Sequence, residues 1–323
     1  MTAMIESINL TKHFGSIKAV EDLTFQVEKG EVLGFLGPNG AGKSTTMKML
    51  TCFVAPTSGT AKVRGHDILQ EPMAVRQVVG YLPESAPAYS EMSPLGFLQF
   101  VARVRGYSGR ELRSAVDRIL TTCALEEVRH QPFETLSKGY KRRVCLAQAL
   151  IHDPEVLIMD EPTDGLDPNQ KHEVRQLIKR MAGGKVIILS THILEEVDAV
   201  CTRAVIIAHG RLVADGKPDE LKQRSRHHGA VTLTLKGGDK STVEAALIQV
   251  RHVKRVEWLD GTSGGSLRLK VYPEHARTIA PEVAQMLRQR GWEVDQLVVE
   301  EGHLDEVFRQ LTQAEHAPAG ERS

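Results

Sequence analysis

Several things that would place a sequence quickly are scarce in this one. Four cysteines in 323 residues, Cys52, Cys123, Cys145 and Cys201, are too few for a disulfide framework and lack the paired short spacing of zinc ligands. A reducing cytoplasm fits them best. Neither sign of charge is in excess: 41 Lys plus Arg balance 41 Asp plus Glu, so the overall field gives no reason to expect nucleic acid or a strongly anionic surface as partner. No apolar run approaches the ~18 to 20 residues that span a bilayer, and the opening MTAMIESINL has no basic stretch ahead of an apolar core. Any membrane role is therefore expected to come through a partner. What is present is a chain of 41% hydrophobic and 25% charged residues, long enough for two domains.

Residues 1–222 read as one α/β unit. Short apolar runs, Val32 to Leu36, Val156 to Met159 and Val186 to Leu189, suit strands of a sheet covered on both faces. From about residue 85 to 150 the strand signal fades and apolar residues such as Leu112, Val116, Ile119 and Leu120 recur at helical spacing, predicting a helical subdomain. The polar, basic residues 223–228 are expected to be a linker. Beyond them, residues 229–312 alternate strand and helix periodicity in the order βαββαβ, the split-βαβ, ferredoxin-like pattern, closed by an amphipathic helix through Leu304, Val307, Phe308 and Leu311. Residues 313–323 are expected to be a disordered tail.

The chemistry sits in the first unit. Gly37-Pro38-Asn39-Gly40-Ala41-Gly42-Lys43-Ser44-Thr45 fits GxxxxGK[ST], the phosphate-binding loop, between an expected strand and an expected helix. Glycines let the backbone curl so that its N–H groups face phosphate oxygens, and the helix start adds its dipole. Lys43 is placed to neutralise the β- and γ-phosphates and Ser44 to ligate Mg²⁺. Asp160 ends an apolar strand, where a carboxylate faces the ligand crevice of a parallel sheet, and Glu161 follows it directly. Asp160 is expected to hold Mg²⁺ through its water shell and Glu161 to polarise an attacking water.

Leu136-Ser137-Lys138-Gly139-Tyr140 opens a helical pattern between these two motifs. This segment resembles the LSGGQ signature of the ATP-binding cassette (ABC) ATPases, and its place in the motif order is theirs. A bland alternative is a Ser-capped helix followed by a basic run, Lys141-Arg142-Arg143, that faces solvent. The resemblance covers residues 4 to about 222 and implies a P-loop NTPase fold that binds ATP and Mg²⁺. It implies that Ser137, Lys138, Gly139 and Tyr140 embrace the γ-phosphate held by a second copy, and that Asp167 meets that copy. It also implies that His192 contacts the γ-phosphate and that Phe14, in Leu10 to Gly15, stacks on adenine.

Two positions depart from the family pattern. Lys138 replaces a signature glycine, and Glu84 stands where most relatives have glutamine, bringing an anion toward the γ-phosphate as a candidate catalytic and metal-binding group. These departures and the C-terminal ending are similar to bacterial exporter ATPases of the gliding-motility, multidrug and copper-maturation type. The expected activity is ATP hydrolysis by a head-to-tail homodimer on the cytoplasmic face of the membrane, driving separate multi-span permease subunits, with no nucleic-acid partner. The proline-shaped segment from Ser85 to Pro94 is the expected link to those subunits. A soluble ABC factor is the other reading, but such relatives carry two cassettes or a long inserted coiled coil.

Overall fold

The computed structural model describes residues 3–85, 89–259, 266–274 and 277–313. The expected tail beyond residue 313, residues 260–265, whose Asp260-Gly261 to Gly264-Gly265 composition reads as a hairpin turn, and Pro87 of the expected link lie outside them. The chain divides into two compact units, Met1–Gly216 and Lys217–Ser323, so the division falls before residues 217–222 rather than after them.

In chain order the first unit runs β1 (Ile5–Phe14), β2 (Ile17–Val27), β3 (Val32–Leu36), α1 (Lys43–Leu50), β4 (Ser58–Val63), β5 (His66–Asp67), α2 (Pro72–Val78), β6 (Val79–Leu82) and α3 (Pro94–Val104). It continues with α4 (Gly109–Thr122), α5 (Lys138–Leu150), β7 (Val156–Asp160), α6 (Pro168–Ala182), β8 (Val186–Thr191), α7 (Leu194–Val200), β9 (Arg203–Ala208) and β10 (Arg211–Gly216). Six of the strands form one sheet in the order β10-β9-β3-β8-β7-β6, parallel throughout except for the β9–β10 pair. Every residue of β3, β7 and β8 is buried, which is why these strands read as unbroken apolar runs.

The strictly alternating reading of this unit misses a second sheet. Strands β2-β1-β4-β5 pair antiparallel, and β2 buries alternate residues over its second half, the half-buried rhythm of such a sheet. Its apolar side joins the main sheet in one core, where Phe25 meets Phe35 edge-on with ring centroids 5.1 Å apart. The helices α3, α4 and α5 pack a separate core on residues such as Leu98, Val116, Leu120 and Leu146. Ser93 caps α3 by accepting from Gly96 N at 3.2 Å.

The parallel register sets the site. Leu36 pairs with Thr191 and Asp160 with Ser190, so the carboxyl ends of β3, β8 and β7 stop side by side and release their loops into one crevice.

The second unit comprises α8 (Pro218–Lys222), β11 (Val231–Lys236), α9 (Lys240–Ile248), β12 (Val253–Trp258), β13 (Ser266–Pro273), α10 (Ala280–Gln289), β14 (Val294–Val299) and α11 (Leu304–Gln313). Its sheet order is β12-β13-β11-β14 with every neighbouring pair antiparallel, so each βαβ step spans one intervening strand. The core is Val231, Leu233, Leu247, Leu269, Val283 and their neighbours. Residues 223–228 are not a free linker. Ser225 is buried and donates to the Glu306 carboxylate of α11, and His228 Nδ1 contacts Glu301 O at 2.7 Å. The polar composition that suggested a solvated connection is satisfied by this unit's own C-terminal segment instead.

Candidate active site

The loop between β3 and α1 is built on two glycines that admit no side chain. Gly42, at φ 102°, is left-handed, and a Cβ on it would lie 2.4 Å from Ala19 O; one on Gly37 would lie 2.6 Å from Ile207 O. Pro38, Asn39 and Gly40 are exposed at the turn, while Ala41 and Lys43 are buried. Lys43 curls its ammonium back over the loop, donating to Gly37 O at 2.8 Å and Pro38 O at 3.3 Å. Those carbonyls hold the charge where a phosphate bound in the loop would meet it. Ser44 and Thr45 follow on the first turn of α1, whose dipole favours an anion there.

Ser44 Oγ donates to Asp160 Oδ1 at 3.1 Å, bridging the loop to the end of β7. The same oxygen accepts from Ser190 Oγ at the end of β8, so the buried Asp160 carboxylate is fixed from two sides. Glu161 leaves the strand at φ 49°, a left-handed conformation rare for a residue with a side chain, and its N–H donates to Ser190 Oγ at 3.0 Å. This turn brings Glu161 Oε1 to 3.8 Å from Lys43 Nζ and Oε2 to 3.0 Å from His192 Nδ1. An ionised carboxylate only accepts, so that His192 nitrogen carries the proton. Lys43, Ser44, Asp160, Glu161 and His192 thus meet in one cleft, from three strand ends.

The other sequence-chosen residues stand apart from this cluster. Phe14 ends β1 half exposed, with Lys12 Nζ 5.0 Å from its ring centroid. The Glu84 side chain is exposed just beyond β6. Ser137 is the exposed N-cap of α5, accepting from Tyr140 N at 3.3 Å; Lys138 is exposed, and Gly139 is buried against Gln170 of α6. Asp167 caps α6 through Gln170 N at 3.0 Å. Among the described residues the hydrogen bonds of Ser137 stay within α5, and its O–H donates to none of them.

Three residues escaped the sequence reading. Ser190 breaks the apolar run of β8 directly opposite Asp160, a polar intrusion visible in the sequence. Glu196, buried on α7, accepts from Thr163 and Thr191, tying the chain beyond Glu161 to the strand end before His192; burial pushes its carboxyl up. Arg142 does not face solvent. It turns inward and spends its guanidinium on backbone carbonyls around Glu161. The sequence carries no signal for this, because Lys141, Arg142 and Arg143 each stand three and four residues before buried positions of α5.

A family model described as ABC transporter matches residues 20–164. The chain is 38% identical over 222 residues to the Nod factor export ATP-binding protein I of Cupriavidus metallidurans, covering 68% of this chain and 73% of that one. It is 31% identical over 311 residues to the linearmycin resistance ATP-binding protein LnrL of Bacillus subtilis, covering 96% and 98%. Among solved structures, an ATP-binding subunit of an ABC transporter superposes with a TM-score of 0.63 at 31% identity, over 68% of this chain and 92% of that one. On this similarity and the mixed α/β P-loop architecture, the chain belongs to the ABC transporter family, as one of its ATP-binding, ATP-hydrolysing subunits.

Proposed function

We propose that this subunit hydrolyses ATP at a composite site between two copies and so drives separate membrane-spanning subunits, in the export direction. The observation that carries the reading is the convergence of Lys43, Ser44, Asp160, Glu161 and His192 in one cleft at the carboxyl ends of β3, β7 and β8. ATP phosphates lie along the Gly37 to Thr45 backbone, Lys43 shifts from Gly37 O to the β- and γ-oxygens, and Phe14 stacks on the base. Glu161, fixed by His192 Nδ1–H, takes a proton from water as its oxygen attacks the γ-phosphorus; the bond to the β-γ bridging oxygen breaks and ADP leaves. The buried Asp160 carboxylate and Ser44 hydroxyl, 3.1 Å apart, are hard oxygen donors that fit Mg²⁺, with Glu84 as a further candidate. Bound there, the ion would offset phosphate charge.

The signature residues complete the site in trans. Ser137, Lys138, Gly139 and Tyr140 cap the start of α5, and the Ser137 hydroxyl with the helix dipole suits the γ-phosphate of a second copy. Asp167 would lie along the same contact. Export is supported by the relatives, one of which is named for Nod factor export and another for linearmycin resistance. A membrane partner is supported by a groove of about 770 Å³ beside the Glu84 loop, lined by Phe53, Tyr89, Phe97, Phe100, Val104 and Arg105. No helix among the described residues is long and apolar enough to cross a membrane. On this reading the subunit sits peripherally on the cytoplasmic face, attached through that groove.

The test is phosphate release by the full chain, alone and with its multi-span partner in liposomes. Turnover that Lys43→Ala abolishes and the partner stimulates is the expected result. Equal turnover by wild type and Lys43→Ala overturns the site.

A further inference from the structure

Arg142 sits in the second turn of α5, half-buried like its neighbours Lys141 and Arg143. Lys141 reaches Glu134 O at 2.9 Å, and Arg143 pairs with the Glu173 carboxylate. Among the described residues Arg142 has no carboxylate within ion-pair distance. Each of its five N–H donors meets a different carbonyl oxygen of the main chain. Nη1 donates to Pro83 O at 2.9 Å and Glu84 O at 2.7 Å; Nη2 donates to Asp160 O at 2.6 Å and Glu161 O at 2.5 Å; Nε donates to Pro162 O at 3.2 Å. Half-burying a guanidinium away from a carboxylate is costly, and that burial holds its pKa below the usual arginine range. Saturating every donor with carbonyls is what makes the placement tenable.

We propose that Arg142 is a positioning residue that locks the Glu84 loop onto the Asp160–Pro162 turn, so that the two acidic side chains approach one γ-phosphate at a fixed spacing. The inference rests on the hydrolytic reading above and deepens it. Both loops hang from the ends of neighbouring strands, β6 and β7, and nothing in the pairing of those strands fixes their loops beyond Leu82 and Met159. Arg142 supplies that constraint, and it supplies it from the helix that Ser137 caps. A displacement of α5 caused by a nucleotide on the second copy therefore moves the backbone that carries Glu161 and Glu84 of this copy. Glu161 is held at φ 49°, so the turn has a strained backbone to be held in place.

Only arginine has this donor set: lysine offers three donors from a point charge and glutamine two from a shorter chain. The experiment compares wild type, Arg142→Lys and Arg142→Ala as full-length protein, measuring kcat, KM and the Kd of a fluorescent ATP analogue. Arg142→Ala is expected to lose at least about tenfold in kcat while the analogue's Kd stays within about threefold, because the phosphate loop is untouched. Arg142→Lys, which keeps the charge and part of the donor set, is expected to fall between the two. Thermal melting identifies a variant that fails to fold, and the lysine variant then carries the test. Arg142→Lys with wild-type kcat, or loss of kcat matched by equal loss of analogue affinity, overturns the proposal. Lys43→Ala measured in parallel separates this from failure of the hydrolytic reading, since that variant must be inactive for any Arg142 result to count.

Discussion

Replacing Glu161 with glutamine keeps the side chain's length and its acceptor for His192 Nδ1–H, 3.0 Å away, while removing the group able to accept a proton. General-base catalysis contributes about 10² to 10⁴ in rate, or about 2.7 to 5.4 kcal/mol at 1.36 kcal/mol per decade. Turnover of Glu161→Gln is expected to fall by that factor. Binding is expected to move the other way. Glu161 Oε1 lies 3.8 Å from Lys43 Nζ, with both groups nearly buried, so the carboxylate competes with ATP for the lysine and repels the incoming phosphates. At an effective dielectric near 20 the bare attraction at that distance is about 4 kcal/mol, much of it cancelled by desolvation. Glutamine removes both obstacles, so ATP affinity should hold or rise, and the protein should accumulate as an ATP-bound dimer. Single-turnover phosphate release gives the rate, equilibrium titration the affinity, and light scattering the dimer. Glu161→Gln turning over at more than about a tenth of the wild-type rate would refute the assignment of Glu161 as base.

Gly42→Ala forces a Cβ to 2.4 Å from Ala19 O at φ 102°, so a cost of about 1 to 3 kcal/mol is expected, along with loss of the ATP-induced rise in Tm. Scanning calorimetry with and without ATP reads both. Ser137→Arg should leave nucleotide affinity of the monomer within about threefold, under 1 kcal/mol, and abolish hydrolysis; mixing it with Lys43→Ala should restore turnover from one intact composite site, and no recovery counts against the in-trans arrangement. His152, whose Nε2 contacts Val79 O at 3.1 Å, has its pKa lowered to about 4 mainly by burial. The unfolded chain binds that proton near 6.5 and the folded one near 4, so wild type should lose about 2 kcal/mol as pH falls through that window, after allowance for partial exposure. In urea unfolding, His152→Gln should show a shallower acid slope; parallel slopes would remove His152 from the account.

How much of this was legible depended on how far apart in the chain the cooperating atoms lie. The phosphate loop spans Gly37 to Thr45, and its chemistry is local: glycines that a turn requires, a lysine, a hydroxyl and a helix start. The strands β3, β7 and β8 were legible because two-sided burial leaves a continuous apolar run. The antiparallel sheet was not, because β1 has mixed burial and irregular register around Leu10 to His13, which breaks the period-two signal. The segment from 223 to 228 was misread for a related reason: its polar groups find partners more than seventy residues later, at Glu301 and Glu306, and composition alone cannot distinguish such partners from water.

Arg142 carries the same point into the site. A basic tripeptide at the start of a helix has no feature that assigns one cation to the interior, and the acceptors that decide it lie 58 and 59 residues before it and 18 to 20 after it. Those acceptors are main-chain carbonyls, so no side chain elsewhere in the sequence betrays the contact. Motifs register residues whose identity the chemistry dictates; Pro83, Asp160 and Pro162 contribute only their C=O groups here, which every residue has. Glu161 belongs to both classes: its carboxylate was legible from its place after Asp160, while its left-handed backbone, its bond to Ser190 and the grip of Arg142 were not. The residues that meet at the strand ends could therefore be named from the sequence, and the contacts that hold them there required the fold.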